Sequence, residues 1–183
     1  MRVFIAVPVS GAAALVLDGV VDDLAGHDWP VRWARPGQWH LTLKFLGETG
    51  SIPIPDIAAA VGDSVKGTGE IPISLSEAGV FPPQGPERVL WVGLNAPPSL
   101  ELMQNRLERA CLELGFPTDG RPFRPHLTLG RVRRNGRLPE GAVNLVSIPP
   151  GAFTVADRVI LFESIPAPGG AHHHPRFTQV LAA

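Results

Sequence analysis

The sequence predicts a mixed helix-and-strand fold made of two similar halves, and three observations carry that reading. Short β-branched or alternating segments are interspersed with three stretches of helical periodicity along 183 residues. The tetrapeptide His-Leu-Thr-Leu occurs twice, at 40–43 and 126–129. Each copy follows a strand and then a helix, the order expected of an internal duplication.

Residues 2–9 alternate and are rich in Val and Ile, which predicts a first strand. From Ser10 to Gly26 the apolar positions Ala13, Leu17, Val20, Val21 and Leu24 recur at helical spacing, with Ser10 as N-cap and Gly26 as stop. Residues 31–34 and 39–46 read as extended, separated by the turn Arg35-Pro36-Gly37. A shorter helix is expected from Pro55 to Val65, weakened by its internal Gly62. Residues 71–78 and 87–94 read as strands joined by the loop Phe81–Pro86, too rich in Pro for a ladder. The clearest helix is Ser99 to Leu114, where Leu100, Met103, Leu107, Ala110, Cys111 and Leu114 form one stripe. Ser99 is its expected cap, and Gly115 sits where a C′ glycine belongs. Residues 124–133, 153–164 and 176–181 complete the strands, with Pro166–Pro175 read as a Pro/Gly/His-rich loop.

The composition, 44% hydrophobic and 18% charged, is that of a globular chain and excludes global disorder. The length suits a single domain of two joined lobes. No apolar run approaches the roughly 20 residues of a membrane span, and no signal-peptide pattern opens the chain, so a cytoplasmic protein is expected. A monomer is expected because no apolar helix is left without a place. The lone Cys111 reads as a small buried hydrophobe rather than a nucleophile. A net charge of −1 gives no global footprint for nucleic acid. Arg121, Arg124, Arg131, Arg133, Arg134 and Arg137 nevertheless fall in one acid-free stretch, either a local anion site or a solvated face.

On a strand, side chains alternate faces, so His40 and Thr42 point one way and Leu41 and Leu43 the other. The same holds for His126 and Thr128 against Leu127 and Leu129. One such tetrapeptide would mean little, since Thr is a common strand residue. Two, related by a pseudo-twofold axis, would bring both His/Thr pairs to a shared cleft. Imidazole titrates near neutrality, so one His can accept a proton while the other donates one across a phosphorus atom. The Thr hydroxyls can hydrogen-bond the non-bridging oxygens. No metal or cofactor is expected: Thr is a weak ligand, and no carboxylate or Cys is near in sequence to complete a shell. His172-His173-His174 is read as a solvated loop, and Trp33, Trp39 and Trp91 as core rather than base-stacking residues.

The segments His40–Glu48, Arg121–Val132, Arg2–Ala6, Arg88–Gly93 and Phe162–Ser164 together resemble the LigT-like RNA 2′,3′-cyclic phosphodiesterases, also called the 2′-5′ RNA ligase family, of the two-histidine phosphoesterase superfamily. The resemblance implies a bilobal α+β fold, with antiparallel sheets lining a central cleft and helices outside. It implies hydrolysis of RNA 2′,3′-cyclic phosphate ends to 2′-phosphates, with His40 as proton donor and His126 as proton acceptor. Thr42, Thr128 and Arg131 would hold the phosphate. Joining of RNA ends through a 2′,5′ linkage is a further implied activity. Regular alternation would send Arg131 away from the cleft, so its role requires a bulge near Gly130. The corresponding positions of the first half are Lys44 and Phe45; Lys44 is expected on the His40 face, either as a further phosphate contact or as an ordinary solvated lysine. Alternative readings are a cyclic phosphodiesterase for small nucleotides such as ADP-ribose 1″,2″-cyclic phosphate, and a non-catalytic RNA-end binder.

Overall fold

The computed structural model describes residues 1–82, 84, 86–168 and 170–182. The chain runs β1 (Arg2–Pro8), α1 (Gly11–Ala25), β2 (Val31–Trp33), β3 (His40–Glu48), α2 (Ile54–Val65), β4 (Ile71–Phe81), β5 (Val89–Asn95), α3 (Pro98–Glu113), β6 (His126–Val132), β7 (Phe153–Ala156), β8 (Arg158–Ala167) and β9 (Gly170–Val180), with a short 3₁₀ turn at Ala142–Leu145. No helix among the described residues is long and apolar enough to cross a membrane.

Every strand pairing is antiparallel, and the strands form two sheets. One has the order β3-β1-β8-β9, the other β2-β6-β5-β4-β7. Apart from β2, which adds an outer strand beside β6, the two orders correspond position by position: β3 to β6, β1 to β5, β8 to β4, β9 to β7. The duplication read from the tetrapeptides therefore extends to the sheets. The helices lie outside: α3 against β3, α2 against α3, β8 and β9, and α1 against β7. The stripe predicted for α3 is buried at Leu100, Met103, Leu107 and Cys111, and Gly115 adopts a positive φ of 94° as expected of C′. Neither Ser10 nor Ser99 makes the expected capping bond; α3 starts instead from Pro97 and Pro98, whose fixed φ suits a first turn.

Two expectations are corrected. The run 153–164 is two strands, divided at Asp157, with β7 at the edge of one sheet and β8 inside the other. The segment Pro166–Pro175 is largely strand: β8 and β9 pair from Arg158↔Val180 to Ala167↔Gly170. Pro175 is tolerated because β9 is an edge strand with one neighbour, and Arg176 is skipped in the register beside it. Gly169, and Pro83 and Gly85 of the 81–86 loop, lie outside the described residues.

Candidate active site

Each His-Leu-Thr-Leu segment opens a strand that faces the other sheet. In β3, Ile5 and Ala6 pair with Lys44 and Thr42, so Leu43 is left without a partner. In β6, Leu90 and Trp91 pair with Gly130 and Thr128, and Leu129 is left out. The same bulge thus falls on the fourth residue of both tetrapeptides. Past a bulge the alternation is reversed. Phe45 and Arg131 consequently turn onto the face of the His and Thr residues, while Lys44 and Gly130 turn to the buried side. The burial sequence of His40–Leu46 is identical to that of His126–Val132.

Between the sheets lies an open cleft of about 260 Å³ lined by His40, Thr42, Phe45, His126, Thr128 and Arg131. His40 Nδ1 is 2.9 Å from the Gln38 carbonyl oxygen, and His126 Nδ1 is 2.7 Å from that of Arg124. A carbonyl can only accept, so Nδ1 carries the hydrogen in both rings and Nε2 is left to exchange protons. This bond also fixes each ring against rotation. Aromatic walls complete the setting. His40 packs on Phe4, with centroids 5.1 Å apart, and edge-on to His173 at 5.3 Å. His126 sits edge-on to Phe81 at 5.1 Å and to Trp91 at 6.0 Å.

A protein-family model for the 2′-5′ RNA ligase superfamily matches residues 26–163 of this chain. The chain belongs to that superfamily. An RNA 2′,3′-cyclic phosphodiesterase from Methanothermobacter thermautotrophicus is 32% identical over 160 residues, covering 86% of both chains. A protein of the same name from Thermotoga maritima is 28% identical, covering 93% of this chain and 90% of its own. Among solved structures, TT0787 of Thermus thermophilus superposes with a TM-score of 0.79 at 26% identity, covering 99% of this chain and 98% of that one. Escherichia coli LigT complexed with 3′-AMP gives 0.78 at 25% identity, covering 100% and 98%.

In this superfamily member the cleft electrostatics are set first by burial. Desolvation lowers the pKa of His40 below the ordinary imidazole value, the backbone bond from Gln38 counters it, and the Arg131 charge lowers it further. His126 is lowered by the same three influences, with Arg124 supplying the backbone bond. Burial, with repulsion from His40 and its histidine neighbours, pushes His173 down to about 4.

His40, Thr42, His126 and Thr128 line the cleft on the face that strand alternation gives them, and Arg131 and Phe45 join them only through the bulges, whereas Lys44, expected on that face, does not. Lys44 is only 4% exposed, because the bulge at Leu43 reverses its side. Its Nζ donates to Glu108 Oε2 at 2.6 Å and to the Pro117 carbonyl at 2.9 Å. Gln104 Nε2 donates to the Leu43 carbonyl at 3.3 Å and to Glu108 at 3.2 Å, so α3 holds the bulge through one network. Of the basic run 121–137, only Arg131 lines the cleft; Arg32 and Arg35 reach it from β2 and the loop after it. His173, read as a loop residue, lines it from β9. Only long-range pairing brings these three there, and no local signal marked them. Trp39 is buried and donates to Asp18 Oδ1 at 2.7 Å, Trp91 packs on Phe81, and Trp33 and Trp39 both border the cleft. Cys111 is fully buried, and burial raises its thiol to about 11.

Proposed function

We propose that the chain is a cytoplasmic, monomeric, single-domain phosphodiesterase that opens RNA 2′,3′-cyclic phosphate ends to 2′-phosphates. One observation carries this: two histidines, each locked through Nδ1 to a carbonyl two residues back, share a cleft with two Thr hydroxyls and the Arg131 guanidinium. His126 accepts a proton from water as the water oxygen bonds to phosphorus. His40 gives a proton to the 3′-oxygen as the P–O3′ bond breaks, leaving the phosphate on the 2′-oxygen. Thr42, Thr128 and Arg131 bind the non-bridging oxygens, where charge concentrates in the transition state. A 5′-hydroxyl in place of water would join two RNA ends through a 2′,5′ linkage by the same displacement.

The names of the M. thermautotrophicus and T. maritima relatives support this substrate, and LigT with 3′-AMP supports a nucleotide ligand. Phe45, 62% exposed and packed on Phe4 at 5.6 Å, is placed to meet the terminal nucleoside at the mouth. The scheme needs no metal. Turnover of an oligonucleotide 2′,3′-cyclic phosphate should therefore persist in excess chelator, and His40→Ala or His126→Ala should each lower it by about 10²–10⁴-fold. Full turnover by either variant refutes the assignment. Tight binding without any turnover leaves an RNA-end binder instead.

A further inference from the structure

Arg32 and Arg131 stand directly opposite each other on β2 and β6. Opposed residues of an antiparallel pair have Cα atoms about 4.5–5.5 Å apart, and like charges so placed repel. Burial, and after it the Arg32 charge, lowers the pKa of the Arg131 guanidinium. Arg35 enters the same cleft, with Nη2 donating to the Pro168 carbonyl at 3.4 Å. Among the described residues, no Asp or Glu lines this cleft. None forms a salt bridge with Arg32, Arg35 or Arg131, whereas Arg121, Arg158 and Arg176 each have a carboxylate partner. Three guanidiniums without counter-charge are thus gathered in one place on a chain whose net charge is −1. A 2′,3′-cyclic phosphate is a diester with a single negative charge, and Arg131 answers it. The other two positive charges call for another anion.

We propose that Arg32 and Arg35 form a second phosphate subsite, which takes the phosphodiester on the 5′ side of the terminal nucleotide and so selects RNA ends over mononucleotides. This rests on the cyclic-phosphodiesterase reading only for the identity of the first phosphate. Two guanidiniums suit the anion because each offers a planar fork of donors to phosphate oxygens.

Calorimetric titration with a nucleoside 2′-monophosphate and the corresponding 2′,5′-bisphosphate, at one ionic strength, isolates the added phosphate. The bisphosphate should bind wild-type protein about tenfold more tightly, the worth of one charge-assisted contact. Arg32→Gln and Arg35→Gln should each bring that ratio toward one, Arg32→Lys should keep part of it, and Arg109→Gln on α3 should leave it intact. In turnover, the kcat/KM of a dinucleotide cyclic phosphate relative to a mononucleotide should fall in Arg32→Gln but stay level in Arg131→Ala, which lowers both. A wild-type binding ratio near one, or a ratio unmoved by Arg32→Gln, overturns the subsite. An absence of hydrolysis with the bisphosphate preference intact overturns the hydrolase reading alone.

Discussion

Strands β3 and β6 begin with the same four residues, bulge at the same fourth residue and bury their first seven positions in the same order, yet they deliver different chemistry. On the cleft face after the bulge, β3 carries Phe45 where β6 carries Arg131. On the buried side, β3 carries Lys44, paired to Glu108 of α3, where β6 carries Gly130, against the Val31 and Trp33 side chains of the neighbouring β2. The edge-on ring beside His40 is His173; that beside His126 is Phe81. A duplicated backbone thus repeats the His/Thr geometry, while unequal neighbours differentiate the two halves: one gives an apolar wall, the other a charge.

Replacing Arg131 tests that division most severely. Arg131→Ala should lower kcat/KM by about 10²–10³-fold, the usual cost of losing one transition-state donor. Because the Arg131 charge lowers the pKa of both histidines, its removal should also move the pH–rate profile upward, which Phe45→Ala should not do. An unshifted profile would show that burial and the backbone bonds set the two pKa values without Arg131.

On the buried side, Lys44→Ala leaves Glu108 in a largely desolvated site and should cost about 3 kcal/mol in urea unfolding. A loss below 1 kcal/mol would mean that the bulge does not depend on the α3 network. Its counterpart, Gly130→Ala, places a Cβ 2.5 Å from Val31 Cγ1 and 2.8 Å from Trp33 Cε3. Overpacking of that kind should destabilise by roughly 1–3 kcal/mol. A neutral result would show that β2 can move away without loss.

The smallest effect concerns His173. Its pKa is about 4 in the fold against an unperturbed value of 6.5, so folding favours the neutral ring. The associated stability is complete above about pH 6.5 and is lost as pH falls from there toward 4, because the unfolded chain binds the proton first. His173→Phe, which makes the His40 wall resemble that of His126, should reduce the difference in thermal midpoint between pH 7 and pH 4.5. An unchanged difference would assign the acid sensitivity to other groups.

Strand alternation was enough to put His40 with Thr42, and His126 with Thr128, because it is a local property that two or four residues express. The helical stripe of α3 and its terminal Gly115 were legible for the same reason. Alternation failed at Lys44, since a bulge depends on how two strands are paired and the sequence of one strand does not declare it. It would have failed equally at Arg131, which the family resemblance rather than the pattern brought to the site. The hairpin of β8 and β9 was hidden by Pro166 and Pro175, which deny a doubly paired strand; Pro166 lies beyond the part of β8 that pairs with β1, and Pro175 lies on the edge strand β9.

The duplicated strands, the faces of their first three residues and the pair of histidines those faces present are thus legible in the sequence alone. Only the tertiary structure decided which charges join them. Arg32, Arg35 and His173 reach the cleft through pairings between segments far apart in the chain. Such registers are set by packing of the whole core, and no local pattern encodes them.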